Sequence, residues 1–178
     1  MIILGVDPGT LFTGYGIISY ANGEIEQIAA GVIKMPPAEE IAPRLKIIYD
    51  ELDRLIKLHK PDEFAIETAF YGKNVQSAMK IGYARGVSLL AAEKNALPSR
   101  EYSPREVKKS VVGNGAATKE QVQYMIRKLL AVKKVKVKFD ESDALAVAIC
   151  HAFKRNNKIK KKGSWKDFVE ANPGMIID

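Results

Sequence analysis

The sequence predicts an α/β fold in which a mixed, five-stranded sheet carries helices on both faces. Three observations support it: buried strand-like runs at residues 2–6 and 64–67, a hairpin signal at Asn22-Gly23, and helical patterns that alternate with strands after residue 40. The resulting order, βββ-α-β-α-β-α-α, is typical of a mixed sheet covered on both sides. With 178 residues and no linker-like interior stretch, the chain is expected to form one main domain.

The first three strands are predicted to form an antiparallel meander. The apolar run 2–6 ends at the turn Asp7-Pro8-Gly9-Thr10, which places Asp7 at the C-terminal end of a buried strand. Two further strand-like runs, 14–20 and 25–34, flank Asn22-Gly23. These two residue types tolerate the positive φ that a tight hairpin turn requires.

Helices and strands alternate in the middle of the chain. Apolar residues at helical spacing predict an amphipathic helix over 41–58, and Pro61 then separates it from the strand 64–67, which ends on Glu67. Residues 74–95 predict a long helix capped by Asn74, and a short strand is expected near 98–102. The small residues Gly82, Ala84 and Gly86 are expected to let another helix approach the long helix closely.

Capping signals predict the last helices. Ser103-Pro104-Arg105-Glu106 and Thr118-Lys119-Glu120-Gln121 each have the pattern of a helix start, with the loop Gly113-Asn114-Gly115 between them. The Ala-rich run 144–149 predicts a helix that lies flat against the sheet. Asp140 and Asp143 precede it and, being three residues apart, share one helical face.

Composition favours an anionic partner. Lys and Arg exceed Asp and Glu by 28 to 21, a net charge of +7, and they concentrate at 108–109, 133–138 and 154–162. Nucleic acid is the favoured partner, and an ordinary solvated basic surface is the alternative. With Cys150 as the single cysteine, no internal disulfide can form and no thiolate zinc site is implied; Cys150 is interpreted as a small core residue. The lack of a signal peptide or an apolar span predicts a cytoplasmic protein with no membrane contact.

Four carboxylates carry the predicted chemistry: Asp7, Glu67, Asp140 and Asp143. Two end buried strands and two begin a helix, so they are expected to converge outside the strand ends. Such like charges repel unless divalent cations neutralise them, and ligation by oxygen alone favours Mg²⁺ or Mn²⁺ over zinc. Two ions about 3.5–4 Å apart then suit phosphodiester hydrolysis. Taken singly, each acid also fits an ordinary turn, a solvated strand end or a helix N-terminus.

Further residues match one family in order and spacing over about residues 1–153. They are Leu4-Gly5-Val6-Asp7-Pro8-Gly9, Glu67, Phe70, Lys73-Asn74, Ser77, Ala84-Arg85-Gly86-Val87, Val107-Lys108, Val111-Val112-Gly113, Lys119, Gln121-Val122 and Asp140-Glu141-Ser142-Asp143-Ala144-Leu145-Ala146. On these residues the chain resembles the RuvC family of Holliday junction resolvases.

The resemblance implies a ribonuclease H-like fold, a homodimer, and paired symmetric nicks in four-way DNA junctions during recombination and repair. It also implies that the four carboxylates hold two Mg²⁺ ions, with Mn²⁺ as a substitute, and that a branch-migration motor is a partner. The DNA-binding positions it implies are Phe70, Lys73, Asn74, Ser77, Lys108 and Lys119. The nuclease domain is expected at 1–156, and residues 157–178 are expected to form a flexible basic tail.

Two other functions compete with this one. Asp7-x-Gly9-Thr10 with Gly14 also resembles the first phosphate loop of actin-like and sugar-kinase ATPases, but the second Gly-rich loop of those proteins is lacking. A junction-binding protein without metal chemistry is the non-enzymatic alternative. His59 and His151 are interpreted as residues near helix ends, where the helix dipole favours a positive ring, and not as general bases.

Overall fold

The described part of the chain forms one mixed sheet with helices on both faces. The computed structural model describes residues 1–68, 75–130 and 139–160, and in the last range the side chains of 141–155. The strands in these ranges are β1 (Ile2–Asp7), β2 (Phe12–Ala21), β3 (Glu24–Lys34), β4 (Glu63–Glu67) and β5 (Ser99–Tyr102). The helices are α1 (Ile41–His59), α2 (Val75–Lys94), α3 (Pro104–Val112), α4 (Lys119–Leu129) and α5 (Phe139–Lys160).

The strand order is β3-β2-β1-β4-β5. β1, β2 and β3 pair antiparallel, whereas β4 pairs parallel with β1 and β5 pairs parallel with β4. The turn between β2 and β3 has φ of 54° at Asn22 and 89° at Gly23, as the hairpin signal predicts. The predicted meander followed by parallel strands is confirmed.

The alternation of side chains along β1 divides the core into two layers. Ile3 packs with Leu145 and Ile149 of α5 on one face, and Leu4 packs with Ile48 and Leu52 of α1 on the other. Successive strand residues point to opposite faces, so a continuous apolar run serves both layers. The two-sided arrangement of helices is therefore confirmed.

Two glycines let α5 lie flat on the sheet. A Cβ atom on Gly5 would lie 2.4 Å from the carbonyl oxygen of Ala144, and one on Gly16 would lie 2.8 Å from the backbone nitrogen of Leu145. No larger residue fits at either position without a shift of the helix. The Ala-rich helix lies against the sheet as predicted, and Cys150 is fully buried in that layer.

Both predicted capping boxes are present. The hydroxyl oxygens of Ser103 and Thr118 accept hydrogen bonds from the backbone N–H groups of Glu106 and Gln121. These bonds fix where α3 and α4 begin. The predicted cap Asn74 lies outside the described residues.

Two sequence predictions need correction. The expected close approach of another helix holds at Ala84, which is fully buried where α2 packs on α1. It does not hold at Gly82 and Gly86, which point outward and have open space around the position of a Cβ atom within the described part of the chain. His151 does not lie near a helix end, because α5 continues to Lys160 and buries the ring in mid-helix. His59 is the last residue of α1, as predicted.

Within the described ranges, no helix combines the length and the apolar character needed to cross a bilayer.

Because α5 runs to Lys160, the predicted boundary at residue 156 falls inside a helix, and residues 161–178 lie outside the described part of the chain. The division into a nuclease domain and a basic tail stays a prediction.

Candidate active site

Two carboxylates lie side by side where neighbouring parallel strands end. Asp7 is the last residue of β1 and Glu67 the last of β4, and the register pairs Val6 with Ile66 directly before them. Asp7 is in phase with Gly5, which contacts α5, and Glu67 with Ala65, which belongs to the α5 layer. Both acids therefore point to the side of the sheet that α5 covers.

The start of α5 brings further acids to the same place. Asp143 joins Asp7 and Glu67 in lining a cavity of about 250 Å³. Asp140 begins the same helix one turn earlier, and its side chain lies outside the described ones. The close contact of α5 with Gly5 and Gly16 sets the height of these acids above the strand ends.

Two lysines complete the cavity wall. Lys108 lies on α3, and Lys119, the first residue of α4, donates a hydrogen bond from Nζ to the Asp143 carboxylate at 3.2 Å. The capping boxes place both residues, since they fix the starts of the two helices. The remaining lining residues are apolar or small: Pro104, Val107, Val122 and Ala146.

Burial and like charge act together on Glu67. Desolvation, and then the charges of Asp7 and Asp143, raise the pKa of Glu67 to about 8, although Lys119 and Lys108 act in the opposite direction. In the metal-free protein Glu67 therefore holds a proton at neutral pH. A bound divalent cation would favour its ionised form.

The donor set fits a hard divalent cation. Among the described lining residues the ionisable groups are carboxylates and lysines, with neither imidazole nor thiolate, which suits Mg²⁺ or Mn²⁺. Among the described side chains no three ligating groups are already close enough to share an ion. Asp140, in the first turn of α5, would add a fourth oxygen ligand.

Of the other four predicted DNA-binding residues, the structure describes one. Ser77 is exposed on the first turn of α2. Phe70, Lys73 and Asn74 lie outside the described residues, and their roles stay predictions.

Two hydrogen bonds that hold the chain next to Asp7 and Glu67 were not predicted from the sequence. The buried Thr13 hydroxyl donates to the Gly9 carbonyl oxygen at 2.7 Å and holds the loop after Asp7. The Thr68 N–H donates to the Tyr102 carbonyl oxygen at 2.8 Å and holds the chain after Glu67. The only sequence signal was a threonine four residues after a turn glycine, which is weak because hydroxyls often bond to nearby backbone.

The chain matches known proteins over nearly its whole length. Residues 3–151 match the family described as Crossover junction endodeoxyribonuclease RuvC. The RuvC protein of Pelotomaculum thermopropionicum is 49% identical over 152 residues, covering 85% of this chain and 93% of its own. That of Chloroherpeton thalassium is 42% identical, covering 99% of this chain and all of its own.

A solved structure agrees with these matches. The structure of T. thermophilus RuvC in complex with Holliday junction substrate superimposes with a TM-score of 0.83 at 30% identity, and covers 89% of this chain and 96% of its own. Fold, acidic cavity and sequence similarity thus lead to one conclusion: the chain belongs to the RuvC family of crossover junction endodeoxyribonucleases.

Proposed function

We propose that this chain resolves four-way DNA junctions by hydrolysing phosphodiester bonds at the cavity that Asp7, Glu67 and Asp143 line. The observation that carries this proposal is the meeting of acids from β1, β4 and α5 beside Lys108 and Lys119. Acids that bind cations, together with lysines that attract phosphate, are what phosphoryl hydrolysis requires. The choice of substrate is supported by the T. thermophilus relative, whose structure holds a Holliday junction.

The proposed cofactor is Mg²⁺, with Mn²⁺ as a substitute and two ions for each site. Asp7, Glu67, Asp140 and Asp143 would hold them. Bound divalent ions lower the pKa of water and offset the charge that develops on the leaving oxygen. The oxygen-only donors and the raised pKa of Glu67, about 8, support this proposal, because that carboxyl group is poised to exchange its proton for a cation.

The lysines are proposed to bind the scissile phosphate. Lys119 is held by Asp143 at 3.2 Å, so its charge stays at the cavity wall beside the reacting group. Lys108, on α3, lines the same cavity. Together they would orient the phosphodiester toward the acids and stabilise its added negative charge.

A homodimer is proposed because two symmetric nicks require two active sites. The outward face of α2 supports it: Val75, Met79, Tyr83 and Leu90 are 46 to 70% exposed. Their spacing places them on one helical face with Gly82 and Gly86, which leave room for a partner backbone. A self-complementary apolar face of this kind suits a two-fold interface.

The motor partner and the cytoplasmic location stay predictions.

The test is incision of a synthetic four-way junction by the full chain. We expect paired nicks at symmetric positions with Mg²⁺, none with a chelator, and none in linear duplex of the same sequence. Junction binding without any metal-dependent nick would refute the nuclease proposal and favour an inert junction binder.

A further inference from the structure

A second cavity lies between the edge strand β5 and the C-terminal half of α5, here called the β5–α5 cavity. It measures about 340 Å³ and is lined by Glu63, Arg100, Tyr102, His151, Lys154 and Arg155. Among the residues that the structure describes, none lines both this cavity and the catalytic cavity. It therefore requires an explanation of its own.

A buried network makes this cavity a fixed structure. The ring of His151, which is 3% exposed, contacts the Tyr102 hydroxyl through Nδ1 at 2.8 Å and the Glu63 carboxylate through Nε2 at 2.5 Å. A carboxylate only accepts hydrogen bonds, so Nε2 donates, and in the neutral ring Nδ1 accepts from Tyr102. The Lys154 ammonium lies 5.0 Å above the Tyr102 ring. The cavity wall is thereby held from both strand and helix.

The network pairs Glu63, the acid that lines the cavity, with His151 and Arg155, and Arg100 remains as an exposed cation of the lining. One oxygen of Glu63 accepts from His151 and the other from Arg155. Lys154 pairs with Glu106 at 2.5 Å. Arg100 is exposed, and none of the described side chains forms an ion pair with it. The cavity thus presents the Arg100 guanidinium to an incoming anion, and the two ion-paired cations, Lys154 and Arg155, lie beside it.

The cavity is connected to the catalytic site through α5 and α3. Asp143, Ala146, Cys150 and Lys154 follow a spacing of three, four and four residues, which places them on one helical face. Along the helix, Lys154 lies about 16 Å from Asp143. Lys154 reaches α3 by its bond to Glu106, and α3 also carries Lys108 into the catalytic cavity.

We propose that the β5–α5 cavity binds a backbone phosphate of a junction arm, with Arg100 as the main ligand and Lys154 and Arg155 in support. For an arm that runs along α5, a rise of about 3.4 Å per base pair puts this phosphate roughly five base pairs from the scissile bond. The planar guanidinium suits a phosphate, since its N–H groups bond two oxygens at once. The inference rests on the proposed function, because the anion is a part of the same junction.

The first experiment measures junction binding by Arg100→Gln, with a chelator present to prevent cleavage. Loss of one phosphate contact should weaken binding about fivefold to tenfold and reduce the slope of log K against log salt by about 0.9. The matched control is Arg54→Gln, which removes an arginine from α1 on the opposite face of the sheet and should leave affinity and slope unchanged. Equal slopes for Arg100→Gln and wild type would overturn the proposal.

The second experiment locates the phosphate. A single neutral methylphosphonate is moved along one arm, and wild type should lose affinity at a position near the fifth base pair as well as at the other phosphates that the protein contacts. Arg100→Gln should lose nothing further at that position, because the contact is already gone. Additive losses at every position would contradict the assignment and leave an acidic protein partner as the occupant. Nicking by wild type is scored separately, so failure of the nuclease proposal is distinguishable from failure of this site.

Discussion

The proton on Glu67 makes the stability of the metal-free protein depend on pH. The pKa of this carboxyl group is about 8 in the fold, against an ordinary value of 4.5. Between these values the folded state holds more protons than the unfolded state, so the free energy of unfolding should fall as pH rises from about 5 to 8. Urea unfolding with a chelator at several pH values measures this slope.

Glu67→Gln should remove most of that slope, since glutamine does not titrate. The exposed Glu39→Gln is the control and should keep the wild-type slope. Saturating Mg²⁺ should also flatten it, because the cation favours the ionised carboxylate. Identical pH dependence in Glu67→Gln and wild type would show that Glu67 is not the titrating group.

Asp7→Asn should abolish nicking and leave junction binding intact or stronger. The change removes one charged ligand while keeping the size of the side chain, and binding depends on phosphate contacts spread over the surface. Single-turnover incision and chelated binding assays measure the two properties. Asp50→Asn on α1 is the control, since its carboxylate pairs only with exposed Lys46 among the described residues. Parallel loss of binding and nicking would contradict the assigned role.

At the scale of elements, the packing of α5 on the sheet fixes the position of Asp143 in the catalytic cavity. Gly16→Ala would place a methyl group 2.8 Å from Leu145. The helix must shift, which should lower the free energy of unfolding by about 1–3 kcal/mol. Because Asp143 moves with α5, nicking should fall more than junction binding. Ala21→Val, at the exposed end of the same strand, is the control for added bulk; wild-type activity in Gly16→Ala would refute the link.

Signals within a few residues predicted where helices and turns begin. Features that depend on packing between distant parts of the chain were not predicted. The caps at Ser103 and Thr118 and the turn at Asn22-Gly23 depend on residues within a few positions, so the sequence displays them directly. The orientation of Gly82 and the burial of His151 depend on which face of a helix meets the sheet and on how far α5 extends. Neither is readable from a short window of sequence.

The candidate site was predictable for a similar reason. Asp7 and Glu67 end apolar runs, and the ends of parallel strands meet at one edge, so their convergence follows from strand order. The network of Tyr102, His151 and Glu63 joins β5, α5 and β4 across 88 residues of sequence. Its members carry no common local pattern.

At the scale of the whole molecule, the exposed face of α2 predicts a dimer. Met79→Lys combined with Tyr83→Lys puts charge into this apolar face and should produce a monomer in sedimentation experiments where wild type is a dimer. The monomer should then lose paired incision, because one site reaches one strand. Leu58→Lys, at an exposed apolar position on α1, is the control. A wild-type monomer, or an unaffected dimer in the double variant, would contradict this interface.

Calorimetric titration of the intact protein with Mn²⁺ tests most directly whether the four acids hold divalent cations in the catalytic cavity. These acids are Asp7, Glu67, Asp140 and Asp143. We predict that wild type and Asp50→Asn bind Mn²⁺, that affinity increases as pH rises toward 8, and that Asp7→Asn and Asp143→Asn bind at least tenfold more weakly. Mn²⁺ affinity that is the same in wild type and in these two variants would contradict the account.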